Sequence, residues 1–370
     1  MPDEPAQTPQ DVSIAFFADG QGFRGYSGVG GSESYVRRLT SAALAQGARV
    51  EYVLFNIGDD ITEVSPGLTV RRCPHLRAAL KAMDRGGVSD VVTVLLNPFE
   101  ELRYALFRWR RSKCVRFHRI LFGGAMTGVK KLMLSFAHRL KPYNGATFAL
   151  TERTTASLTG KRNCLLRPPV PDGFYASPAD KVQGGPLKVV FVGRLDPEKG
   201  INEVLELFNR LAGREDIDLT IYGYTWRGLR ESEEIHERLQ GQQRIRYIPA
   251  SHEGYSAGRE AAMGDIFRAA DVVVLPYKRF DRTIDPPLIL LEAMASLCIP
   301  LTRPVGAIPE VIPDEWLCDC DNFIAWAEEK INYLVGNLAG ARDELAAWND
   351  RNGVRASEAA ATFLQMIRQE

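Results

Sequence analysis

The sequence predicts an α/β protein that consists of two doubly wound, Rossmann-like domains facing each other across a cleft. Both halves of the chain alternate short β-branched runs with helical patterns, which is typical of parallel sheets covered by helices. A stretch rich in Pro and Gly, without periodicity, separates the halves. The length of 370 residues suits two domains of about 100–200 residues each.

The first half contains five predicted strands with helices between them, at 12–18, 49–55, 91–96, 114–118 and 146–150. The second half opens with the strand LKVVFVGR and a helix at 202–211, and continues with the strands DLTIYG, RIRYI, DVVVLPY and CIPLTR. We therefore expect a first domain over residues 1–165, a linker over 166–186, a second domain over 187–350 and a terminal segment over 351–370. Ala359, Phe363 and Ile367 share one helix face in that segment, so we expect its helix to pack back on the first domain.

The composition excludes several classes of protein. The 46 Lys and Arg residues balance the 46 Asp and Glu residues, so the whole-chain charge predicts neither a nucleic-acid nor a membrane partner. The N-terminus MPDEPAQTPQ lacks the basic and apolar parts of a secretory signal, and no apolar run approaches the roughly 20 residues that cross a bilayer. Six scattered cysteines without paired metal-ligand spacing indicate reduced, packed thiols. We expect a cytoplasmic protein.

A first glycine cluster, GVGGSE at 28–33, follows the first predicted strand and opens a helix. Glycines let backbone N–H groups converge at a helix N-terminus, which favours a phosphate or a sugar hydroxyl there. Glu33 stands where the dinucleotide-binding fingerprint has its third glycine, so a nicotinamide cofactor is not expected. The alternative is a turn in which Ser32 caps the helix.

A second cluster, GRLDPEKG at 193–200, lies between a strand and a helix. The position places Arg194 and Lys199 at the carboxyl edge of the strand, where two cations suit a diphosphate and stabilise negative charge on a departing nucleotide diphosphate. The alternative is a solvated turn in which both cations pair with Asp196 and Glu198.

A third segment, DPPLILLEAMA at 285–295, has Glu292 inside an apolar helix start. A carboxylate among buried aliphatic side chains costs several kcal/mol unless it is hydrogen-bonded, so Glu292 is expected to bind something such as the vicinal hydroxyls of a ribose. Helix capping is the alternative.

With GAIPEVI at 306–312, these motifs resemble those of retaining glycosyltransferases of family 4, which have the GT-B fold. The resemblance covers nearly the whole chain, and its specific part is the second half. It implies that Arg194 and Lys199 are catalytic and bind the diphosphate of a nucleotide diphosphate sugar donor, and that Glu292 binds the ribose. We expect further donor contacts from Gly30, Gly31, Gly193, Asp285 and Leu288.

The sequence departs from that family at the position where a second carboxylate is usual. Ile284 stands there, and Pro286 and Pro287, which have no N–H to donate, replace the glycines that follow. We expect Asp285 to take over the contact with a sugar hydroxyl after a shift of one residue. The alternatives are an altered donor preference and lost activity.

The family also places a His at the end of a central strand of the first domain, and His118 closes CVRFH here. The resemblance implies that His118 hydrogen-bonds the donor sugar or the acceptor without acting as a base, and a structural role is the alternative. The triplet Asp319-Cys-Asp321 resembles a metal-binding motif of another glycosyltransferase fold, but such triplets are common. We expect transfer without a metal or cofactor.

Charge is segregated within the neutral chain. Residues 101–142 contain eleven Lys and Arg residues against one acidic residue, with aromatic and aliphatic residues between them. Such a surface suits anionic lipid headgroups at the inner face of a membrane and a glycan or lipid-linked acceptor. We assign five residues to this acceptor and membrane side: Glu33, Arg108, Arg111, Lys130 and Lys131. The alternative is a solvated helical face, and nucleic-acid binding lacks an accompanying motif.

The function predicted from the sequence is a hexosyltransferase-type reaction that moves a sugar from a nucleotide diphosphate sugar to an acceptor hydroxyl and retains the anomeric configuration. Two alternatives remain open. A sugar-nucleotide epimerase on the same fold needs no acceptor, and a non-catalytic nucleotide-sugar-binding protein gives no turnover.

Overall fold

A computed structural model describes the chain in ten segments, 12–27, 30–85, 88–109, 115–122, 144–158, 162–181, 184–225, 229–250, 257–278 and 284–368. The chain forms two compact units. The first comprises Met1–Pro169 together with Arg355–Glu370, and the second comprises Val170–Val354.

The first unit contains an eight-stranded sheet in the order β3-β4-β2-β1-β5-β6-β7-β8. Its strands are β1 (Ser13–Asp19), β2 (Arg49–Phe55), β3 (Asp60–Ser65), β4 (Leu68–Cys73), β5 (Asp90–Val94), β6 (Arg116–Leu121), β7 (Thr147–Ala149) and β8 (Asn163–Leu165). Every neighbouring pair is parallel except β3 and β4, which form an antiparallel hairpin. Strand order reverses between β1 and β5, so that the carboxyl ends of these strands form the edge where open α/β sheets bind ligands.

Four described helices of this unit lie between its strands, as the crossovers between parallel strands require. They are α1 (Gly31–Ala45), α2 (Leu76–Arg85), α3 (Pro98–Trp109) and α4 (Glu152–Ala156). Strand β1 is apolar and buried over its five central residues, which places it at the centre of the unit. A parallel strand covered on both faces reads as such a continuous hydrophobic run.

The second unit contains a sheet of five parallel strands in the order β11-β10-β9-β12-β13. These strands are β9 (Leu187–Arg194), β10 (Ile217–Tyr224), β11 (Arg246–Pro249), β12 (Val272–Leu275) and β13 (Ile299–Thr302). The helices are α5 (Ile201–Leu211), α6 (Arg230–Gln240), α7 (Ala257–Ala269), α8 (Leu288–Ala295) and α9 (Phe323–Asn352). Here strand order reverses between β9 and β12, which puts the ligand-binding edge at Arg194 and Leu275.

The last helix, α10 (Ala356–Arg368), belongs to the first unit. Its Phe363 ring centre lies 5.0 Å from that of Phe148 and 6.1 Å from that of Phe16. The face that includes Ala359 and Ile367 is buried, so this helix covers the first sheet next to α1.

The segment expected to be a linker belongs largely to the second unit. The boundary falls between Pro169 and Val170, and the Val170 and Phe174 side chains lie in the second hydrophobic core. The buried Lys181 ammonium donates to three carbonyl oxygens at the end of α7, those of Phe267, Arg268 and Ala270. Burial and hydrogen bonds therefore anchor residues that composition alone marked as irregular.

None of the described helices combines the length and the apolar character needed to cross a bilayer.

Candidate functional site

The second sheet places Arg194 at the point where its strand order reverses. Arg194 is the last residue of β9 and is only 8% exposed. Its Nη2 atom lies 3.9 Å from a carboxylate oxygen of Asp196, itself buried. The guanidinium is thus held inside the edge of the sheet and is not solvated, although its ion pair with Asp196 is one that the alternative reading of this motif predicts.

The turn after β9 is fixed by its own hydrogen bonds. The Asp196 carboxylate accepts from the Glu198 N–H (3.0 Å), and the Lys199 N–H donates to the Asp196 carbonyl (2.8 Å). Gly200 follows with φ of +78°, and a Cβ at that position would lie 2.4 Å from the Pro276 carbonyl oxygen. Only glycine satisfies both conditions, because the left-handed backbone and the close approach leave no room for a side chain.

Lys199 is a half-buried cation beside an aromatic ring. Its Nζ lies 4.6 Å from the centre of the Tyr277 ring and forms no ion pair with any carboxylate in the described part of the chain. Burial, and then the nearby Arg194 charge, lower the pKa of Lys199 to about 7. An anion bound at this position would favour the ammonium form of Lys199 and raise its pKa again.

Glu292 approaches the same edge from α8. Leu288 opens this helix and Glu292 lies one turn later, buried at 7% exposure, so its side chain is too far along to cap the N-terminus. Burial raises the pKa of Tyr277; the Glu292 charge raises it further and the Arg194 charge lowers it. Both charges therefore act on one tyrosine ring.

The loop before α8 holds the residues at which the sequence departs from the family pattern. Ile284 is buried at 6% exposure, as an apolar side chain should be. Asp285 is half-buried, and one of its carboxylate oxygens accepts from the Ala307 N–H at 2.8 Å. Asp285 thus contacts the loop that contains Gly306. The hydrogen bond from Ala307 occupies one carboxylate oxygen of Asp285.

In the first unit, Gly30 and Gly31 begin α1. Gly30 is the N-cap residue, and the buried Glu33 carboxylate folds back so far that its Oε2 lies 2.2 Å from where a Gly30 Cβ would be. The Ser32 hydroxyl donates to Glu33 Oε2 at 3.2 Å and does not cap the helix. Because a carboxylate already occupies this helix start, the loop suits a hydroxyl better than a phosphate.

His118 does not lie at a strand end. It is the third residue of β6 and is fully buried. Its Nδ1 accepts from the Ala146 N–H at 2.8 Å, so Nε2 carries the proton and donates to Asp90 at 2.9 Å. Both ring nitrogens hydrogen-bond other groups of the protein, which favours the structural role that was the alternative for His118.

The residues assigned to the basic stretch are only partly described. Arg108 lies on α3, and Arg111, Lys130 and Lys131 lie outside the described residues. Two other cations of the stretch serve the fold, because Arg116 forms two hydrogen bonds with the Asp90 carboxylate and Arg119 donates to Thr147.

No group of three or more His, Cys, Asp or Glu side chains suited to a metal ion occurs in the described segments. Asp319 and Asp321 line an open pocket of about 520 Å³ together with Cys318, Cys320 and two cations, Lys278 and Arg303.

The sequence did not single out Tyr277, the residue that joins the site. It is the second residue after β12, in the segment VVVLPY. Its place at the end of a strand next to the reversal point was the signal that could have found it. Pro276, which fixes the position of Gly200, was missed for the same reason.

Comparisons with known proteins bear on the fold and on the second domain. Residues 186–337 match the family Glycosyl transferases group 1. No curated protein matches the chain by sequence. The solved structures that resemble nearly the whole chain include three that are described next, and each is a low-identity match.

AviGT4, a glycosyltransferase involved in avilamycin A biosynthesis, is 18% identical, with a TM-score of 0.60, and the alignment covers 96% of this chain and 97% of that one. HepE from Anabaena, crystallised with UDP and glucose, is 12% identical, with a TM-score of 0.65 and coverage of 96% and 99%. An α,α-trehalose-phosphate synthase from Burkholderia xenovorans is 12% identical, with a TM-score of 0.65 and coverage of 96% and 100%.

These likenesses confirm the predicted fold class, which is GT-B with two Rossmann-like α/β domains. The matched segment runs from β9 to the middle of α9 and contains Arg194, Lys199 and Glu292. Together, the glycosyltransferase group 1 domain and the GT-B fold support a glycosyltransferase enzyme.

Proposed function

We propose that this protein transfers a sugar from a nucleotide diphosphate sugar to an acceptor hydroxyl with retention of the anomeric configuration. The observation that best supports this is Lys199, a half-buried ammonium without an ion-pair partner among the described residues, next to the buried Arg194. Burying a charge is unfavourable unless it is paired. A diphosphate supplies the missing negative charge.

The predicted site residues of the second unit bind different parts of the donor. Arg194 and Lys199 hold the diphosphate and stabilise the charge that develops on it as the sugar leaves. Preorganised cations of this kind lower a barrier because they need no rearrangement during the reaction. Glu292 accepts hydrogen bonds from the ribose, while Asp285 contacts a sugar hydroxyl and Gly193 and Leu288 line the donor.

Retention follows if the acceptor attacks the face from which the diphosphate departs. A phosphate oxygen of the leaving group then takes the acceptor proton, and no side chain has to act as the base. The engagement of both His118 nitrogens supports this route, because it leaves that residue no free ring nitrogen to accept the acceptor proton. We assign Gly30 and Gly31 to hydroxyls of the donor sugar and the acceptor, with Glu33 on the acceptor side.

The names of two structural neighbours suggest the first donor to test. The HepE structure holds UDP and glucose, and the trehalose-phosphate synthase is described as UDP-forming. A uridine diphosphate sugar is therefore the first candidate for this chain. No cofactor or metal is required by the proposed chemistry.

We assign the acceptor, a glycan or a lipid-linked sugar, to the first unit. Residues 101–142 carry the basic excess, and α3, at the start of that stretch, exposes Phe99 (65%) and Leu106 (41%). Apolar side chains beside cations suit an anionic membrane surface at the cytoplasmic face. Sedimentation with anionic and with neutral vesicles tests this, and Lys130→Glu combined with Lys131→Glu should abolish binding to the anionic vesicles. Equal binding to both kinds of vesicle contradicts it.

The decisive experiment is nucleotide binding followed by product analysis. Thermal shift with UDP, GDP and ADP identifies the base, because a ligand of the folded state raises the melting temperature. Incubation of the matching nucleotide sugar without acceptor should leave it intact, whereas an epimerase converts it. Transfer to an added acceptor separates the enzyme from a non-catalytic binding protein, and NMR of the product establishes retention. Absence of binding to every nucleotide contradicts the proposal.

A further inference from the structure

Cys318 and Cys320 bring two thiols together at the carboxyl edge of the second sheet. Their Sγ atoms lie 3.1 Å apart, which is hydrogen-bonding distance for sulfur. Both residues line the open pocket of about 520 Å³, which also contains Lys278 and Arg303. Neither thiol has a part in the proposed donor chemistry.

The two thiols differ in accessibility. Cys318 is 1% exposed, and its burial raises the pKa of its thiol to about 11, whereas Cys320 is exposed. The thiolate is the nucleophilic form of cysteine, and reaction also requires access from solvent. Cys320 is therefore the thiol that an external reagent meets first.

The backbone holds the pair in place. The Cys318 N–H donates to the Thr302 carbonyl at 2.8 Å, which ties Cys318 to the end of β13. The Arg303 guanidinium packs on the Phe323 ring and donates to the Cys320 carbonyl at 3.4 Å. Cys318 is thus anchored in the sheet, while Cys320 lies in the turn before α9.

A structural zinc site does not explain the pair. Such a site uses four ligands, and the described residues contain no group of three or more His, Cys, Asp or Glu side chains placed to hold a metal ion. Two adjacent sulfurs, one buried and one exposed, instead match the attacking and resolving thiols of a redox-active pair.

We propose that Cys318 and Cys320 form a dithiol that reacts with small disulfides, in which the exposed Cys320 attacks and the buried Cys318 resolves. The inference does not depend on the proposed function. The pair lies at the same edge of the sheet as Lys278, whose N–H donates to the Glu198 carbonyl in the turn beside Lys199.

The exchange balances with oxidised glutathione as the oxidant. Cys320 thiolate attacks one glutathione sulfur, a bond forms between them, and the other glutathione leaves as a thiolate that takes up the proton lost by Cys320. Cys318 then loses its proton and attacks Cys320 Sγ, which releases the second glutathione. Two protein thiols are oxidised and one glutathione disulfide is reduced to two thiols.

Mass spectrometry tests both steps on the full-length protein. The reduced protein is incubated with oxidised glutathione, remaining thiols are alkylated, and the chain is cleaved after glutamate. The resulting peptide 316–328 contains Cys318 and Cys320 and no other cysteine. In the wild type we expect this peptide to carry no alkyl group and no glutathione and to be two hydrogens lighter than its dithiol form. Dithiothreitol should restore the dithiol form.

Three variants separate the roles of the thiols. Cys318→Ser should keep one glutathione on Cys320, because the resolving thiol is gone, and Cys320→Ser should show neither the adduct nor the disulfide. Cys164→Ser, which changes a half-buried thiol elsewhere, should behave like the wild type. The proposal is overturned if the wild type retains glutathione on Cys320 as stably as Cys318→Ser does, or if its peptide stays fully alkylated. Cys320→Ser changes an exposed side chain, so it remains informative even if Cys318→Ser does not fold.

Discussion

The Lys199 ammonium lies 4.6 Å from the centre of the Tyr277 ring, and the ring itself is buried. The face of an aromatic ring attracts a cation, by about 0.5–2 kcal/mol. Tyr277 thus holds Lys199 at the carboxyl edge of the second sheet without neutralising it. A tyrosine leaves the charge available to a ligand, whereas a carboxylate in the same place would compete with a diphosphate.

Loss of the Lys199 charge should affect turnover and not folding. Lys199→Ala is expected to lower kcat by about 10²–10³, the usual effect of removing one preorganised charge-stabilising group. The melting temperature should change little, because a partly buried ammonium without an ion pair contributes no net stability. Lys199→Arg keeps the charge and serves as the matched control, with a smaller loss. Unchanged turnover in Lys199→Ala would remove the diphosphate assignment.

Nucleotide binding should take up a proton. Since the pKa of Lys199 in the free protein is about 7, the neutral amine predominates above that pH. A bound diphosphate favours the ammonium and raises this pKa, so that binding at about pH 8 draws a proton from the buffer and affinity falls as the pH rises above 7. Calorimetry in two buffers with different ionisation enthalpies measures the uptake. Lys199→Arg should show none, and identical enthalpies for the wild type in both buffers contradict the assignment.

Glu292 should contribute to nucleotide affinity. In Glu292→Gln the side chain keeps its size but loses the charge that strengthens hydrogen bonds to hydroxyls, so we expect Kd for the nucleotide to rise about tenfold, or 1.4 kcal/mol. Glu237→Gln, on the exposed face of α6, is the control and should leave Kd unchanged. Calorimetry measures both. Equal affinity in Glu292→Gln and the wild type would exclude a ribose contact.

Much of the fold was predictable because buried parallel strands have a strong pattern. The strand at 187–194 and the helix after it were predicted almost to the residue, since β-branched runs and a helical period leave little choice. The β3–β4 hairpin was missed, because every residue of β3 is exposed and the strand shows no buried face. The dipeptide Pro66-Gly67 between these strands was the available turn signal.

The site was predictable where a motif determines the backbone and not where distant residues meet. The placement of Arg194 and Lys199 after β9 follows from local sequence. Their association with Tyr277 depends on the sheet order, in which β9 lies next to β12, and periodicity does not reveal that order. His118 was misplaced because β6 runs on to Leu121, three residues beyond the predicted end.

His118 should support the fold and not the reaction. His118→Ala leaves the buried Asp90 carboxylate and the Ala146 N–H without this partner. Leaving a buried polar group without its hydrogen-bond partner costs about 1–3 kcal/mol of unfolding free energy. Urea denaturation should show this loss, while kcat per folded molecule stays at the wild-type value. A large fall in kcat with unchanged stability would restore a catalytic role.

Replacing Gly200 should lower stability mainly because a new side chain would collide with Pro276. The positive φ of Gly200 should contribute less. Gly200→Ala introduces a Cβ 2.4 Å from the Pro276 carbonyl oxygen at a φ of +78°, and one of the two segments has to move. Gly213 has a φ of +97° with nothing within 4 Å of its Cβ position, so Gly213→Ala measures the backbone strain alone. That strain is worth about 1 kcal/mol.

We expect Gly200→Ala to lower the unfolding free energy by about 2–3 kcal/mol, the size of strain plus overpacking, and also to weaken nucleotide binding, because the turn that carries Lys199 is displaced from β12. Gly213→Ala should change stability only. Urea denaturation and calorimetry on both variants give the comparison. If the two substitutions have the same effect on stability and neither alters Kd, the apposition of Gly200 and Pro276 does not position Lys199.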